Sequence, residues 1–266
     1  MDGLQTWVIN LDRAPDRLAR IGAQLRRLGL PFERLPAVDG RALSGAQQAA
    51  LDAPTYRRRH GMEPIAGELG CTLSHVEAIR RFLAGPASFA LVLEDDVLLG
   101  DSLPAVLRAL MACPARWDMV KLSAVHSGTP VAVADLGSGH RLAVMLSRCT
   151  GASAYLINRR AAAAYLDGLL PMTLPYDHVF DQGWTFGLKV RLVTPPPCGH
   201  DERIASTIDA LPGPSRKFRW TRRFPTYLWR LRNETRRLLY GLRETLRERL
   251  ARGRGLSARA PRASRR

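Results

Sequence analysis

No run in this chain approaches the ~18 consecutive apolar residues that a membrane-spanning helix needs. The opening stretch MDGLQTWVINLDR lacks a basic segment followed by a long apolar core, so no secretory signal is expected. Cysteine is scarce. Cys71, Cys113, Cys149 and Cys198 are the four present, and none pair as C-x-x-C. That spacing speaks against a zinc site or a disulfide framework and suits reduced thiols in a cytosol. No internal repeat is visible. What remains is a chain of 266 residues, 46% of them apolar, enough to bury a sizeable core in one large domain or a domain with an appendage.

The net charge of +16 is unevenly placed. Residues 212–266 carry 18 Lys and Arg against 3 Asp and Glu, a net of +15, whereas residues 1–211 carry 22 against 21, a net of +1. The chain therefore reads as a balanced body, residues 1–211, followed by a strongly basic tail, residues 212–266, whose end after Gly253 has the composition of a disordered segment.

Within the body, TWVINL from Thr6 reads as a buried strand. A helix follows from Pro15 to Leu28, with Leu18, Ile21, Leu25 and Leu28 on one face and Gly29 at its stop. A short strand is expected from Phe32, a turn at Asp39-Gly40, and a surface loop over 41–66. A helix over 72–83, the strand FALVL, a helix over 103–111 and strands over 118–122, 141–146, 152–157 and 189–193 come next. An alanine-rich helix is expected over 159–169, and a polar helical stretch from Asp177. Strands alternating with helices in the first half argue for an α/β fold with parallel strands, and the closer strands of the second half for a mixed sheet.

The stretch FALVLEDDVLL ends a buried strand in three carboxylates, Glu94, Asp95 and Asp96. In open α/β sheets, ligands bind outside the carboxyl ends of strands. Adjacent carboxylates repel, and a hard divalent cation, Mg²⁺ or Mn²⁺, with a substrate diphosphate would relieve that repulsion. A solvated turn, or a helix start favoured by its dipole, accounts for the same residues.

The segments VINLDRAPDRLARI, AVDGR, GELGCTLSH, LVLEDDVLL, WDMVKLS, YLINRRAA and PYDHVFD, in this order, resemble the lipooligosaccharide glycosyltransferases, glycosyltransferase family 25, from about Trp7 to about Ile208. That family includes bacterial galactosyltransferases and relatives that glycosylate collagen. The resemblance implies a GT-A-like fold with a mixed, mostly parallel central sheet, and transfer of a hexose, typically galactose, from a UDP-sugar with inversion. It implies that the triplet is an Asp-x-Asp-like element, with Glu94 and Asp96 as metal ligands for Mn²⁺ (or Mg²⁺) and Asp95 on the donor side. Asp177 is the expected catalytic base, since inversion needs a carboxylate to accept the acceptor hydroxyl's proton. A helix N-cap is the plainer role for Asp177, and Asp181 is its rival as base. His200 is a candidate third metal ligand or an exposed loop histidine. His75 is a candidate hydrogen bonder to the donor or a satisfied core histidine. Arg13 and Arg17, near the end of the first strand, suit a phosphate or a uracil edge. Asn10, Asp39 and Glu68 are further donor-pocket candidates, and Thr150 and Gly151 offer a small wall where backbone approaches the sugar. Cys71 reads as packed.

In the tail, Leu228, Leu231, Leu238, Leu242, Leu246 and Leu250 recur at helical spacing, with Thr235 in the gap and arginines over much of the rest. A basic amphipathic helix with Trp220 and Trp229 nearby has the pattern of an interfacial membrane helix. The expectation is that residues 215–250 rest on an anionic membrane surface, on the cytoplasmic face of a bacterial inner membrane, close to a lipid-linked saccharide acceptor. A helix packed on the body is the plainer alternative. Two rival functions remain: a nucleic-acid-binding protein acting through the tail, which the neutral body disfavours, and an inactive glycosyltransferase-like adaptor, which the retained carboxylates disfavour.

Overall fold

A computed structural model describes residues 1–126, 128–200 and 217–257, with side chains to residue 251. The expectations that fall on residues 201–216 and 258–266 lie outside the described residues.

The elements run β1 (Leu4–Asn10), α1 (Pro15–Arg27), β2 (Glu33–Pro36), α2 (Gly45–Gln48), α3 (Ala53–His60), α4 (Ala66–Ala84), β3 (Phe89–Glu94), β4 (Val97–Leu99), α5 (Leu103–Met111), β5 (Met119–Lys121), β6 (Pro130–Gly137), β7 (His140–Met145), β8 (Ala154–Asn158), α6 (Arg159–Gly168), α7 (Tyr176–Phe180), α8 (Gly183–Phe186), β9 (Val190–Thr194), β10 (Cys198–His200) and α9 (Phe224–Ser257). Eight strands form one mixed sheet in the order β2-β1-β3-β8-β5-β9-β7-β6, and β10 pairs with β4 in a separate ladder. β1 runs parallel to β2 and β3, and β5 parallel to β9, while β8 is antiparallel to both β3 and β5. The carboxyl ends of β1, β2, β3 and β5 and the amino end of β8 therefore share one edge.

Alternation along each strand divides the core between two faces. Trp7, Ile9, Ala90, Val92, Tyr155 and Ile157 join a cluster with Val76, Ile79 and Phe82 of α4 and Ala161 and Tyr165 of α6. Val8, Leu91, Leu93, Ala154 and Leu156 join one with Ile21 and Leu25 of α1 and Val106, Leu107 and Leu110 of α5. Helices thus cover both faces of this mixed sheet, the solution that buries strands on both sides.

Residues 41–66 are not the expected surface loop. Ser44 caps α2 and Asp52 caps α3, each side chain accepting a backbone N–H in the first turn. Tyr56 of α3 is fully buried and donates to Glu68 Oε2 at 2.7 Å. Arg57, Arg58 and Arg59 hide this single inward residue from a periodicity argument. The helix expected over 72–83 begins at Ala66, because Gly70 and Ser74 press its first turns onto the Asp39-Gly40 turn. A Cβ on Gly70 would lie 2.6 Å from the Val38 carbonyl oxygen, and Ser74 Oγ accepts from Val38 N–H at 2.8 Å. β6 and β10 were not anticipated. β6 carries two register shifts against β7 that blur its alternation, and β10 is three residues long.

α9 packs on the body with its polar side inward. Thr226, Asn233, Arg237, Glu244, Thr245 and Glu248 are buried, while Leu228, Leu231, Leu238, Leu239, Leu242, Leu246 and Leu250 are exposed. Arg191, fully buried in β9, pairs with Glu244 at 2.8 Å and Glu248 at 3.5 Å. Tyr240 Oη donates to the Leu188 carbonyl and accepts from Val190 N–H. Among the described residues no helix is long and apolar enough to cross a membrane.

Candidate active site

The acidic triplet sits at the carboxyl end of β3, where the chain turns into β4. Successive residues there point in different directions, so the three carboxylates meet three sets of partners.

Glu94 faces α4 and α7. Its Oε1 accepts a hydrogen bond from Tyr176 Oη, lies 3.3 Å from His75 Nε2 and 3.9 Å from Cys71 Sγ. Burial pushes the Glu94 carboxyl up, but His75, Tyr176 and His200 outweigh it and hold it below the ordinary carboxylate value. His75 is fully buried, stacked on Tyr176 with ring centroids 3.8 Å apart, and its Nδ1 lies 3.0 Å from Tyr155 Oη. It stands behind Glu94 and does not line an open pocket.

Asp95 faces β1 and α1. Asn10 Nδ2 donates to Oδ2 at 2.7 Å, and Arg17 reaches Oδ1 at 3.3 Å. Asn10 is held in turn by Arg34, which donates to its Oδ1 at 3.0 Å. Arg13 pairs with Asp39 at the ends of β1 and β2, and Asp39 also caps the following turn by accepting from Arg41 N–H. Glu68 is occupied locally, taking Tyr56 Oη and the Ile65 N–H at the start of α4.

Asp96 turns toward β10. The antiparallel register sets His200 opposite Val97, and His200 Nδ1 lies 3.9 Å from Asp96 Oδ1. His200 Nε2 is 3.3 Å from Ser153 Oγ, which bonds Ser123 Oγ at 2.9 Å. Asp96 Oδ1 is buried without a hydrogen-bond partner. Burial, then the neighbouring Glu94, raise the Asp96 carboxyl to about 6.

These facts test the fit of a divalent cation. Asp96 and His200 converge, and the orphaned oxygen and raised pKa mark a place where positive charge is wanted. Glu94 belongs to a different group. Cys71, His75 and Glu94 are the one set of three such side chains among the described residues with ligand atoms within 4.8 Å of one another. Burial, then Glu94, Asp177 and Asp96, push the Cys71 thiol well above its ordinary value, which keeps it protonated and a poor ligand. The donor set thus fits a cation through Asp96 and His200, with Glu94 Oε1 turned to α7.

Asp177 approaches from α7. Its Oδ2 accepts from Gly151 N–H at 2.9 Å. Gly151 has φ +83°, and a Cβ there would lie 2.9 Å from Val125 N, so the wall of Thr150 and Gly151 requires glycine at this point. Thr150 is bridged to His126. Burial raises the Asp177 carboxyl, but His178, Lys121 and the N–H groups of Gly151 and His178 hold it below the ordinary value. It is ionised near neutral pH. Asp181, one turn on, accepts from Arg237 and, at 3.1 Å, from Cys149 N–H, and its side chain is 1% exposed. Asp181 serves the docking of α9.

Sequence comparison bears on this arrangement. The sequence model of Glycosyltransferase family 25 (LPS biosynthesis protein) matches residues 4–180.

The chain belongs to glycosyltransferase family 25.

Similar members include a glycosyltransferase 25 family member of Aedes aegypti, 37% identical over 95 residues, covering 34% of this chain and 16% of that protein. Procollagen galactosyltransferase 2 of Homo sapiens is 33% identical over 111 residues, covering 40% of this chain and 18% of that protein. A probable inactive glycosyltransferase 25 family member 3 of Bos taurus is 31% identical over 160 residues, covering 54% and 27%. The matched part is thus a small share of these family 25 relatives' own length. His200 and α9 lie beyond the stretch of this chain that the family 25 sequence model covers.

Side chains that sequence reasoning passed over hold the expected ones in place. Tyr176, Tyr155, Ser153 and Lys121 carry no motif of their own in the sequence. Lys121 is a fully buried lysine within β5. Its Nζ donates to the Cys149 carbonyl at 2.6 Å and lies beside Asp177.

Proposed function

We propose that the chain is a metal-dependent, inverting hexosyltransferase of GT-A-like architecture. It moves a hexose, with galactose the leading candidate, from a UDP-sugar to a saccharide hydroxyl in lipooligosaccharide or lipopolysaccharide assembly. The carrying observation is the division of labour at the end of β3, with an ionised Asp177 held nearby against Gly151.

In this reading Asn10, Arg13, Arg17 and Asp95 take the nucleotide side, where guanidinium groups suit phosphate oxygens. Asp96 and His200 would hold Mn²⁺ or Mg²⁺, which would supply Lewis-acid charge to the diphosphate leaving group. Asp177 accepts the proton of the acceptor hydroxyl as its oxygen bonds to the anomeric carbon and the bond to UDP breaks. Its depressed pKa keeps the carboxylate ready, and the Gly151 N–H fixes its direction. Glu94, anchored by Tyr176 and His75, holds α7 to the strand end. The galactosyl assignment draws on the procollagen galactosyltransferase relative.

The experiment is release of UDP from a panel of UDP-sugars with Mn²⁺ and a saccharide acceptor, products read by mass spectrometry. Metal-dependent release with one donor is the expected result. No release from any donor, with UDP still bound, would favour the inactive-adaptor reading that the Bos taurus relative's name brings to mind.

A further inference from the structure

The outer face of α9 is an unpartnered apolar strip. Among the described residues 13 large hydrophobic side chains are exposed, and ten of them belong to this strip: Trp220, Phe224, Tyr227 and the seven leucines from Leu228 to Leu250. Leu231 is 68% exposed and Trp220 73%. Helices on a globular body normally turn such a face inward. Here the opposite face is inward, fixed by Arg191–Glu244, Arg116–Glu248 and Arg237–Asp181. Helical spacing sets the leucines diametrically across from those buried polar residues.

The charge on the strip identifies what covers it. Between Lys217 and Leu250 the sequence holds 11 Lys and Arg and 3 Glu. Glu244 and Glu248 are buried against Arg191, and Glu234 pairs with Arg237. Of these acids only Glu234 stays partly exposed, engaged by Arg237, so the exposed charge of this stretch is predominantly cationic. Exposed Arg232, Arg243 and Arg247 each follow a stripe leucine by one position, and Arg236 continues their row. A second copy of the same face would set cation against cation. A bilayer of anionic lipid meets both needs, taking the leucines at the acyl boundary and the guanidinium groups at the phosphates. From Phe224 to Leu250 the strip runs ~40 Å at ~1.5 Å per residue.

We infer that α9 seats the protein on an anionic membrane surface, with the leucine strip facing lipid and the buried polar face holding the body at a set angle. Arg237 joins α9 to Asp181, beside α7, so the seating also orients the candidate cleft. The inference stands on the exposed face and not on the reaction.

The test uses the full chain in sedimentation with phosphatidylglycerol–phosphatidylcholine vesicles, against phosphatidylcholine alone, with sedimentation velocity in parallel. Substitutions replace truncation, because removing α9 would strip Arg191 and Asp181 of their partners. The wild type should bind anionic vesicles only and release in high salt. The triple variant Leu231→Glu, Leu242→Glu, Leu246→Glu should keep its melting temperature and lose at least ~10-fold in vesicle binding. Unchanged binding by that variant overturns the proposal. So does a wild type that ignores vesicles, whether it forms a dimer the variant dissolves or binds RNA through the same face. UDP release is read without vesicles, so failure of the seating and failure of the transferase reading are separable.

Discussion

Tyr176 Oη donates a hydrogen bond to Glu94 Oε1, fastening α7, which carries Asp177, to the strand end that carries the acidic triplet. Among the described residues the phenol oxygen makes no other hydrogen bond, so its loss should act on placement. Tyr176→Phe is expected to keep the fold and lower kcat by ~10-fold, the equivalent of ~1.4 kcal/mol, with KM for the donor little changed. Steady-state kinetics with both substrates varied would check it, and a pure KM effect would contradict the positioning role.

Asp96 and His200 are expected to carry the cation. Asp96→Ala should reduce turnover by at least ~10²-fold, and excess chelator should abolish it. His200→Ala should weaken Mn²⁺ binding, read by electron paramagnetic resonance of free Mn²⁺, while UDP-sugar binding without metal is unaltered. Full activity in chelator would remove the metal from the mechanism.

The two aspartates of α7 and its end should separate cleanly. Asp177→Asn retains UDP binding and loses transfer, because an amide cannot take the proton. Asp181→Asn instead removes one of the two carboxylates that Arg237 meets, leaving Glu234 at 3.0 Å. Breaking a buried pair outright costs about 3–5 kcal/mol, and with Glu234 retained the variant should lose less than that but still melt below the wild type. A stable, inactive Asp181→Asn with an active Asp177→Asn would reverse the roles.

Acid should loosen α9 before the sheet. Burial pushes the Glu244 carboxyl up, but Arg191 and Arg247 outweigh it and hold it below its ordinary value. A depressed folded-state pKa contributes stability that is present above the unfolded value and lost as pH falls through the folded one. Glu244→Gln should therefore be less stable than the wild type at neutral pH and converge with it in acid. Tryptophan fluorescence against pH for both proteins would show whether the gap closes.

Consecutive carboxylates behind an apolar run made the end of β3 readable from residues alone, because neighbouring like charges need a local cause. Asp177 and Gly151 could be named, but not their contact, which depends on α7 crossing the β8 approach. A periodicity argument counts rings and not hydroxyls, so it gives no sign that those of Tyr56, Tyr155 and Tyr176 meet Glu68, His75 and Glu94. The tail shows the same limit. Spacing identifies two faces of a helix, but which face meets the body was decided by Arg191 and Asp181, far away in the chain.

The ladder between β4 and β10 also gives the site a date of birth. A nascent chain emerges amino end first at roughly 5–20 residues per second. Glu94, Asp95 and Asp96 are therefore made well before Cys198–His200, the strand that brings an imidazole to Asp96. For a wait on the order of ten seconds, Asp96 is without its imidazole, whereas Asn10, Arg17 and His75, the partners of Asp95 and Glu94, have already been made. A chain cut short before His200 keeps the whole triplet yet lacks its last candidate ligand.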